Sequence, residues 1–230
     1  GAGLLWFGWF GFNAGSALSA GTLAGLTFTN TQVATAAAVL GWLVVEKLRD
    51  GHATSLGAAS GAVAGLVAIT PACAFIVPWS AALLGLIAGA LCAMAVGLKY
   101  RFGFDDSLDV VGVHLVGGLV GCIYLGFMAT ERANGAGSAS ANGLFYGGGA
   151  GLLWIQTKGA LLVMVYSFVM AAIIGYAIDK TIGFRLDPED EEAGVDLVDH
   201  AEAGYDLGTT TSGGFRSAGV STKENAEVTA

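Results

Sequence analysis

The sequence predicts an all-α fold, a polytopic helical membrane protein with about six transmembrane helices, and three observations carry that prediction. Only 12% of its residues are charged while 54% are hydrophobic, whereas soluble domains carry about 25% charged residues. The mean hydropathy is +0.67. Six apolar stretches, at about 2–23, 31–48, 55–76, 79–98, 109–129 and 158–182, approach the roughly 20 residues that a hydrocarbon core demands of a spanning helix.

The first stretch opens as "GAGLLWFGWFGFNAGS", already inside an apolar run, with neither an initiator Met nor a basic flank. No signal peptide is recognised there, and the chain reads as the downstream portion of a longer protein. Phe12, Ser16 and Ser19 fall at i, i+4 and i+7, joining an aromatic face that attracts a cation to hydroxyls that accept hydrogen bonds. Trp6, Trp9 and Phe10 thicken the aromatic content. Taken alone, such aromatics are ordinarily packing residues, so the stripe does not by itself decide for a site.

The second stretch ends in a basic break with Lys47 and Arg49. The third places Gly57, Gly61 and Gly65 four apart, the small-xxx-small spacing that lets membrane helices approach closely. It then meets "ITPAC", where Pro71 removes a backbone donor and disfavours helix at Thr70. Two readings stand: a break at membrane depth covered by protein or a cavity, or a plain helix terminus.

Between the fourth and fifth stretches lie Lys99 and Arg101, followed by Asp105, Asp106 and Asp109. The fifth carries His114, with Gly117, Gly118 and Gly121 at i+3, i+4 and i+7. That spacing predicts an imidazole facing a tight helix interface or a lined cavity rather than lipid. An ionisable group inside a membrane is a candidate functional residue; the competing reading is a neutral histidine bonded to a neighbouring helix. Asp109 lies five residues earlier, about 140° round the helix, and with Asp105 and Asp106 is expected to cap free N–H groups at the helix start.

The connection "ATERANGAGSASANGLFYGGGAGLLWIQT" is expected to be partly irregular before the sixth stretch. Short cytoplasmic loops carry the excess of Lys and Arg. Lys47, Arg49, Lys99, Arg101, Lys180 and Arg185 lie on one side, against Arg132 and Lys158 on the other, which predicts a cytoplasmic C-terminus. Three regions follow: a transmembrane domain at 1–186, an acidic cytoplasmic tail at 187–208 and a disordered polar end at 209–230. Residues 187–230 hold 11 acidic and 2 basic side chains, whereas 1–186 is nearly neutral.

Catalysis finds little support. Cys73, Cys92 and Cys122 lie in apolar segments without ligand spacing and read as small buried hydrophobes. His52 belongs to a loop and His200 to the tail, so His114 has no second membrane histidine, and no nucleophile is activated. No enzyme, cofactor or metal site is expected, nor nucleic acid as a partner.

Four motifs in order, "GWFGFNAGSALSA" (Gly8 to Ala20), "NTQVATAAAVLGW" (Asn30 to Trp42), "GAASGAVAGLVAITPAC" (Gly57 to Cys73) and "DVVGVHLVGGLVGC" (Asp109 to Cys122), closely resemble the ammonium transporter (Amt/MEP/Rh) family, bacterial Amt branch. "GFRLDPEDEEAGVDLVDHAEAGYD" resembles its tail, so the resemblance runs to about Leu207. It implies an eleven-helix inverted-repeat fold, of which this chain would be the second five-helix half plus the last helix, in homotrimers of the cell membrane with one pore per subunit. By that resemblance His114 matches one of two pore histidines, Phe12 one of two stacked gate phenylalanines, and Ser16 the hydroxyl of the outer ammonium recruitment site. Asp109 matches a structural acid.

The partner histidine, the second gate ring, the recruitment tryptophan and the essential aspartate belong to the family's first half, so the chain alone is not expected to conduct. The resemblance further implies a PII-type signalling protein docking on the loops around Lys47–His52 and Lys99–Asp106 and on the tail. The substrate would be ammonium, deprotonated at the mouth and conducted as ammonia through a His-lined apolar pore. An ammonium sensor signalling through the tail is the alternative.

Overall fold

The computed structural model describes residues 1–134 and 141–202, and every described element is helical. The chain divides into two compact units, Gly1–Phe168 and Val169–Ala230. The expected polar end at 209–230 lies outside the described residues.

The helices are α1 (Ala2–Asn13), α2 (Thr22–Asp50), α3 (Ser55–Ile69), α4 (Pro78–Ala95), α5 (Leu98–Phe102), α6 (Val116–Met128), α7 (Glu131–Asn134), α8 (Gly151–Thr181), α9 (Pro188–Ala193) and α10 (Val195–His200). A π-helical turn, Val110–Leu115, runs directly into α6. Four helical runs, Thr22–Asp50, Pro78–Phe102, Val110–Met128 and Gly151–Thr181, are long and apolar enough to cross a membrane. The two other predicted segments are helical but shorter.

The first of these stops early. α1 ends at Asn13, a 3₁₀ turn covers Gly15–Ala17, and Leu18 takes a left-handed conformation with φ 54°. Ser16 helps end the helix by donating its hydroxyl back to the Phe12 carbonyl, a local bond that competes with helix continuation. Hydropathy does not register this, because Gly, Ser and Ala are not strongly polar.

α2 gains what α1 loses, starting at Thr22 rather than near residue 31. Its buried threonines are satisfied within the helix: Thr31 donates to Thr27 O at 2.8 Å and Thr35 to Thr31 O at 2.7 Å. α8 likewise starts at Gly151 rather than 158, and Thr157 spends its hydroxyl on Leu153 O at 2.8 Å.

α2 is the centre of the first unit, with α3 and α4 packed on it. Glycine makes this possible. A methyl group at Gly85 or Gly89 of α4 would strike the Ala34 or Ala38 carbonyl of α2, and one at Gly41 would strike Leu86 O. On α3 the predicted stripe behaves as expected: Gly61 lies against Trp42 and Ala38, and Gly65 against Ala38 and Thr35. With no strong hydrophobic drive between helices in lipid, such close backbone approach supplies the packing.

Of the two readings of Pro71, the structure takes both in part. α3 ends at Ile69, and the broken stretch before α4 is partly buried, with Ala72 and Ile76 inaccessible. Asn30 of α2, also inaccessible, sends its amide Nδ2 to Cys73 O at 2.8 Å and to Ile76 O at 2.7 Å, while Thr130 N donates to Phe75 O at 2.9 Å. A side chain from a neighbouring helix thus replaces bonds that the break removed.

In the second unit, Arg185 holds Glu191 of α9 through two bonds, at 2.9 and 2.8 Å, which keeps the Glu191 carboxyl below its ordinary range.

Candidate functional site: an aromatic groove and a histidine on a π-helical turn

The candidate residues gather at two places. At the first, α1 and the end of α3 enclose a groove of about 460 Å³ lined by Leu4, Leu5, Gly8, Trp9, Phe12 and Thr70. Phe12 is 76% exposed, so its ring face is open to whatever enters. Trp9 is fixed by its indole Nε1, which donates to Thr70 Oγ1 at 2.8 Å, while Thr70 donates onward to Leu66 O at 2.7 Å. The Pro71 break leaves Thr70 at the α3 terminus, where its hydroxyl can meet α1.

Ser16 is joined to Phe12 by its bond to the Phe12 carbonyl. Its hydrogen is spent, but a hydroxyl oxygen has two acceptor lone pairs. Ser19 lies beyond the left-handed Leu18, outside the helical stripe, and donates to Ala17 O at 3.3 Å. Asn13 is buried and ties α1 to α2 by donating to Thr31 Oγ1 at 3.1 Å.

His114 stands elsewhere, on the π-helical turn that packs against α3 and α4. The expected small-residue face is corrected here. Gly117 packs against Val67 and Ala64 of α3, and Gly121 against Ala68 and Pro71, but Gly118 faces open space and His114 is exposed. The imidazole therefore projects to a side that the described residues leave uncovered. The reason is the turn itself: Val116 N bonds to Val111 O, five residues back. An extra residue in the turn shifts His114 out of phase with the packed Gly117 and Gly121, and it is left uncovered like Gly118. π turns inside helices are rare and frequent at functional sites.

Asp109 occupies the N-cap position of this turn, with φ 56° and ψ 34°, but its side chain makes no cap hydrogen bond. The expected capping is thus corrected for Asp109 and holds for Asp106, whose carboxylate accepts from Val110 N at 2.7 Å and from Val111 N at 2.9 Å. Asp109 instead pairs with Lys99, Nζ to Oδ1, at 2.8 Å. In the left-handed conformation its carboxylate turns away from the helix start toward that ammonium.

Sequence reasoning missed the roles of Lys99, Thr70 and Asn30. Lys99 reads in the sequence as a charge of a cytoplasmic loop, and the other two are polar residues that meet a helix break whose geometry no periodicity reports. Glu46 was missed too: it is buried and accepts from Thr54 N at 2.9 Å and Thr54 Oγ1 at 2.8 Å, bracing the α2–α3 connection. Among the described residues no group of three His, Cys, Asp or Glu side chains is placed to hold a metal.

The family model described as Ammonium Transporter Family matches residues 1–205. The chain belongs to this family. It is a family of transporters rather than enzymes, and the chain is accordingly a multi-pass helical membrane protein. An ammonium transporter of Mycobacterium tuberculosis is 58% identical over 210 residues, covering 90% of this chain and 44% of that protein. The crystal structure of Candida albicans Mep2 superposes with a TM-score of 0.77 at 32% identity, covering 82% of this chain and 42% of that one. A solved structure described as a sensor Amt protein gives a TM-score of 0.76 at 30% identity, covering 85% and 47%. The chain thus spans less than half the length of these relatives.

Proposed function

We propose that this chain acts as the C-terminal portion of an ammonium transporter of the cell membrane. The observation that supports the reading most is the family match over residues 1–205, in a chain whose open Phe12 ring stands beside the Ser16 hydroxyl.

The chemistry follows from charge and size. Carrying a full cation through a narrow apolar pore is costly, because its hydration is not replaced. Phe12 attracts ammonium by its ring quadrupole, and Ser16 accepts one of its hydrogen bonds. Loss of a proton at the mouth then lowers the barrier, since neutral ammonia is far less strongly hydrated. His114 lines the path beyond; a neutral imidazole offers one donor and one acceptor to a small polar solute. The second histidine and gate ring come from the half of the fold that this chain does not span, so residues 1–230 alone do not conduct.

Lys and Arg placement puts the C-terminus in the cytoplasm. There the acidic tail and the loops around Lys47–His52 and Lys99–Asp106 form the docking face for a PII-type protein on a homotrimer. The likeness to a sensor Amt protein favours one second reading, in which the tail reports ammonium rather than supporting flux.

Uptake of labelled methylammonium by cells lacking their own ammonium carriers separates these readings. Saturable uptake from the complete gene, altered in His114→Ala and absent for residues 1–230 alone, is the expected result. No uptake by a well-expressed complete protein overturns transport in favour of sensing, and unchanged uptake in His114→Ala makes His114 a packing residue.

A further inference from the structure

The polar groups that precede His114 form one connected brace. Lys99, near the start of α5, places Nζ 3.0 Å from Asp106 O and 2.8 Å from Asp109 Oδ1. Its side chain is only 16% exposed, so the ammonium is held against the turn rather than waving in solvent. Asp106 in turn caps Val110 N and Val111 N, and Asp109 N donates back to Asp106 O at 3.3 Å. Asp109 O accepts from Val113 N at 2.8 Å.

Asp109 is the one residue of this brace with positive φ. Non-glycine residues enter that region rarely, Asp more readily than most, and they remain there when their surroundings over-determine them. Asp109 is over-determined by the Lys99 ammonium on its carboxylate and the Val113 amide on its carbonyl. Three residues along, Gly112 lies against the Val96 backbone at a distance no side chain would fit. The chain therefore enters the π-helical turn from a fixed direction, and His114 is two residues further on.

We propose that Lys99 is a positioning residue for His114. By bridging Asp106 O and the Asp109 carboxylate it fixes the left-handed entry to the Val110–Leu115 turn and so sets where the imidazole projects. The functional consequence rests on the transport reading above, because only a pore-lining imidazole makes its direction matter to flux.

Neither helix propensity nor burial requires a lysine there. A purely structural role would be served by any residue that keeps α5 folded, whereas positioning needs a cation that reaches both oxygens. Arginine can do this and methionine, of similar length, cannot.

The test compares wild type with Lys99→Met, Lys99→Arg and Asp109→Asn, each from the complete gene. Lys99→Met is expected to lower maximal methylammonium uptake about tenfold, since a small misplacement originating far from the chemistry is costly. The half-saturation concentration should stay unchanged, because Phe12 and Ser16 are untouched. Lys99→Arg should recover most of the rate.

Amide hydrogen exchange over residues 110–116 in detergent gives a second readout that does not depend on transport. Lys99→Met should speed exchange there about tenfold, as expected for local opening of a braced turn, while α2 and α4 remain protected. Wild-type exchange rates in Lys99→Met, or an Arg variant as impaired as the Met variant, would overturn the proposal. Failure of wild-type uptake would sink the transport reading instead, with the exchange data still deciding the brace. If Lys99→Met does not reach the membrane, Asp109→Asn decides, since it keeps a residue that tolerates positive φ but removes the charge that Lys99 holds: faster exchange over residues 110–116 than in wild type supports the bridge, and wild-type protection refutes it.

Discussion

α4 with α5 and α8 are equally apolar by hydropathy, yet nearly half of the apolar window of the first is buried and none of the second is. Both contain glycine. On α4, Gly85 and Gly89 meet the α2 backbone, whereas Gly159 and Gly175 on α8 have nothing within reach of an added methyl. Hydropathy thus reports that a helix enters the membrane, while small residues at helical spacing report which face meets protein. Lipid tails are as apolar as leucine, so an uncovered face such as that of α8 carries no penalty there.

The comparison breaks most directly at Asn30, the polar residue that the buried side of the bundle depends on. Asn30→Ala strips two buried carbonyls, Cys73 O and Ile76 O, of their donors. Each uncompensated group costs about 1–3 kcal/mol, partly offset because Asn30 Oδ1, itself buried without a partner among the described residues, goes too. A net loss of about 2–4 kcal/mol is expected, read as a large drop in thermal stability in detergent micelles. A melting point equal to wild type would mean that the break holds itself.

A matched pair of alanines sharpens the contrast. Gly89→Ala drives a methyl into Ala38 O and should cost about 1–3 kcal/mol, the range for overpacking a tight interior. Gly159→Ala meets nothing and should leave melting unchanged or slightly raised. Equal effects at both sites would dissolve the distinction between the two helices.

These sites also show how far the sequence could be read. The α3 stripe was legible because its glycines repeat at four and their role is local to one helix face. So was the stop at Pro71, since a missing N–H acts on its own carbonyl partners wherever the fold places them. The early end of α1 was not, because it turns on one hydroxyl returning to Phe12 O. Nor was the direction of His114: a π turn changes the phase of a helix without changing its composition. That Asp106 caps while Asp109 pairs with Lys99 was hidden for a related reason. Their spacing permits either to cap, and only the left-handed backbone at Asp109 and the reach of Lys99 decide between them. Phe12 and Ser16 were paired by their spacing, and the structure keeps them adjacent through a hydrogen bond rather than through a continuous helix.

The smallest effect lies in the tail, where the described helices α9 and α10 bury no side chain and their order rests on exposed groups. Arg185 and Glu191 are bonded but exposed, at 62% and 36% of their side chains, so solvent screens the pair and its removal should not shift global melting. Its pH dependence has a defined sign. The guanidinium holds the Glu191 carboxyl below its ordinary value, so the contribution is complete above the unfolded value of about 4.3 and is lost as pH falls through the lower folded one. Amide exchange across α9 should therefore be unchanged between pH 7 and 5, after correction for intrinsic rates, and rise only in stronger acid. Glu191→Gln should show the higher exchange at every pH. Should wild type and variant coincide throughout, the pair does not order the tail, and α9 owes its start to Pro188 at its first position and to the backbone bonds that Asp187 O accepts from Asp190 N and Glu191 N.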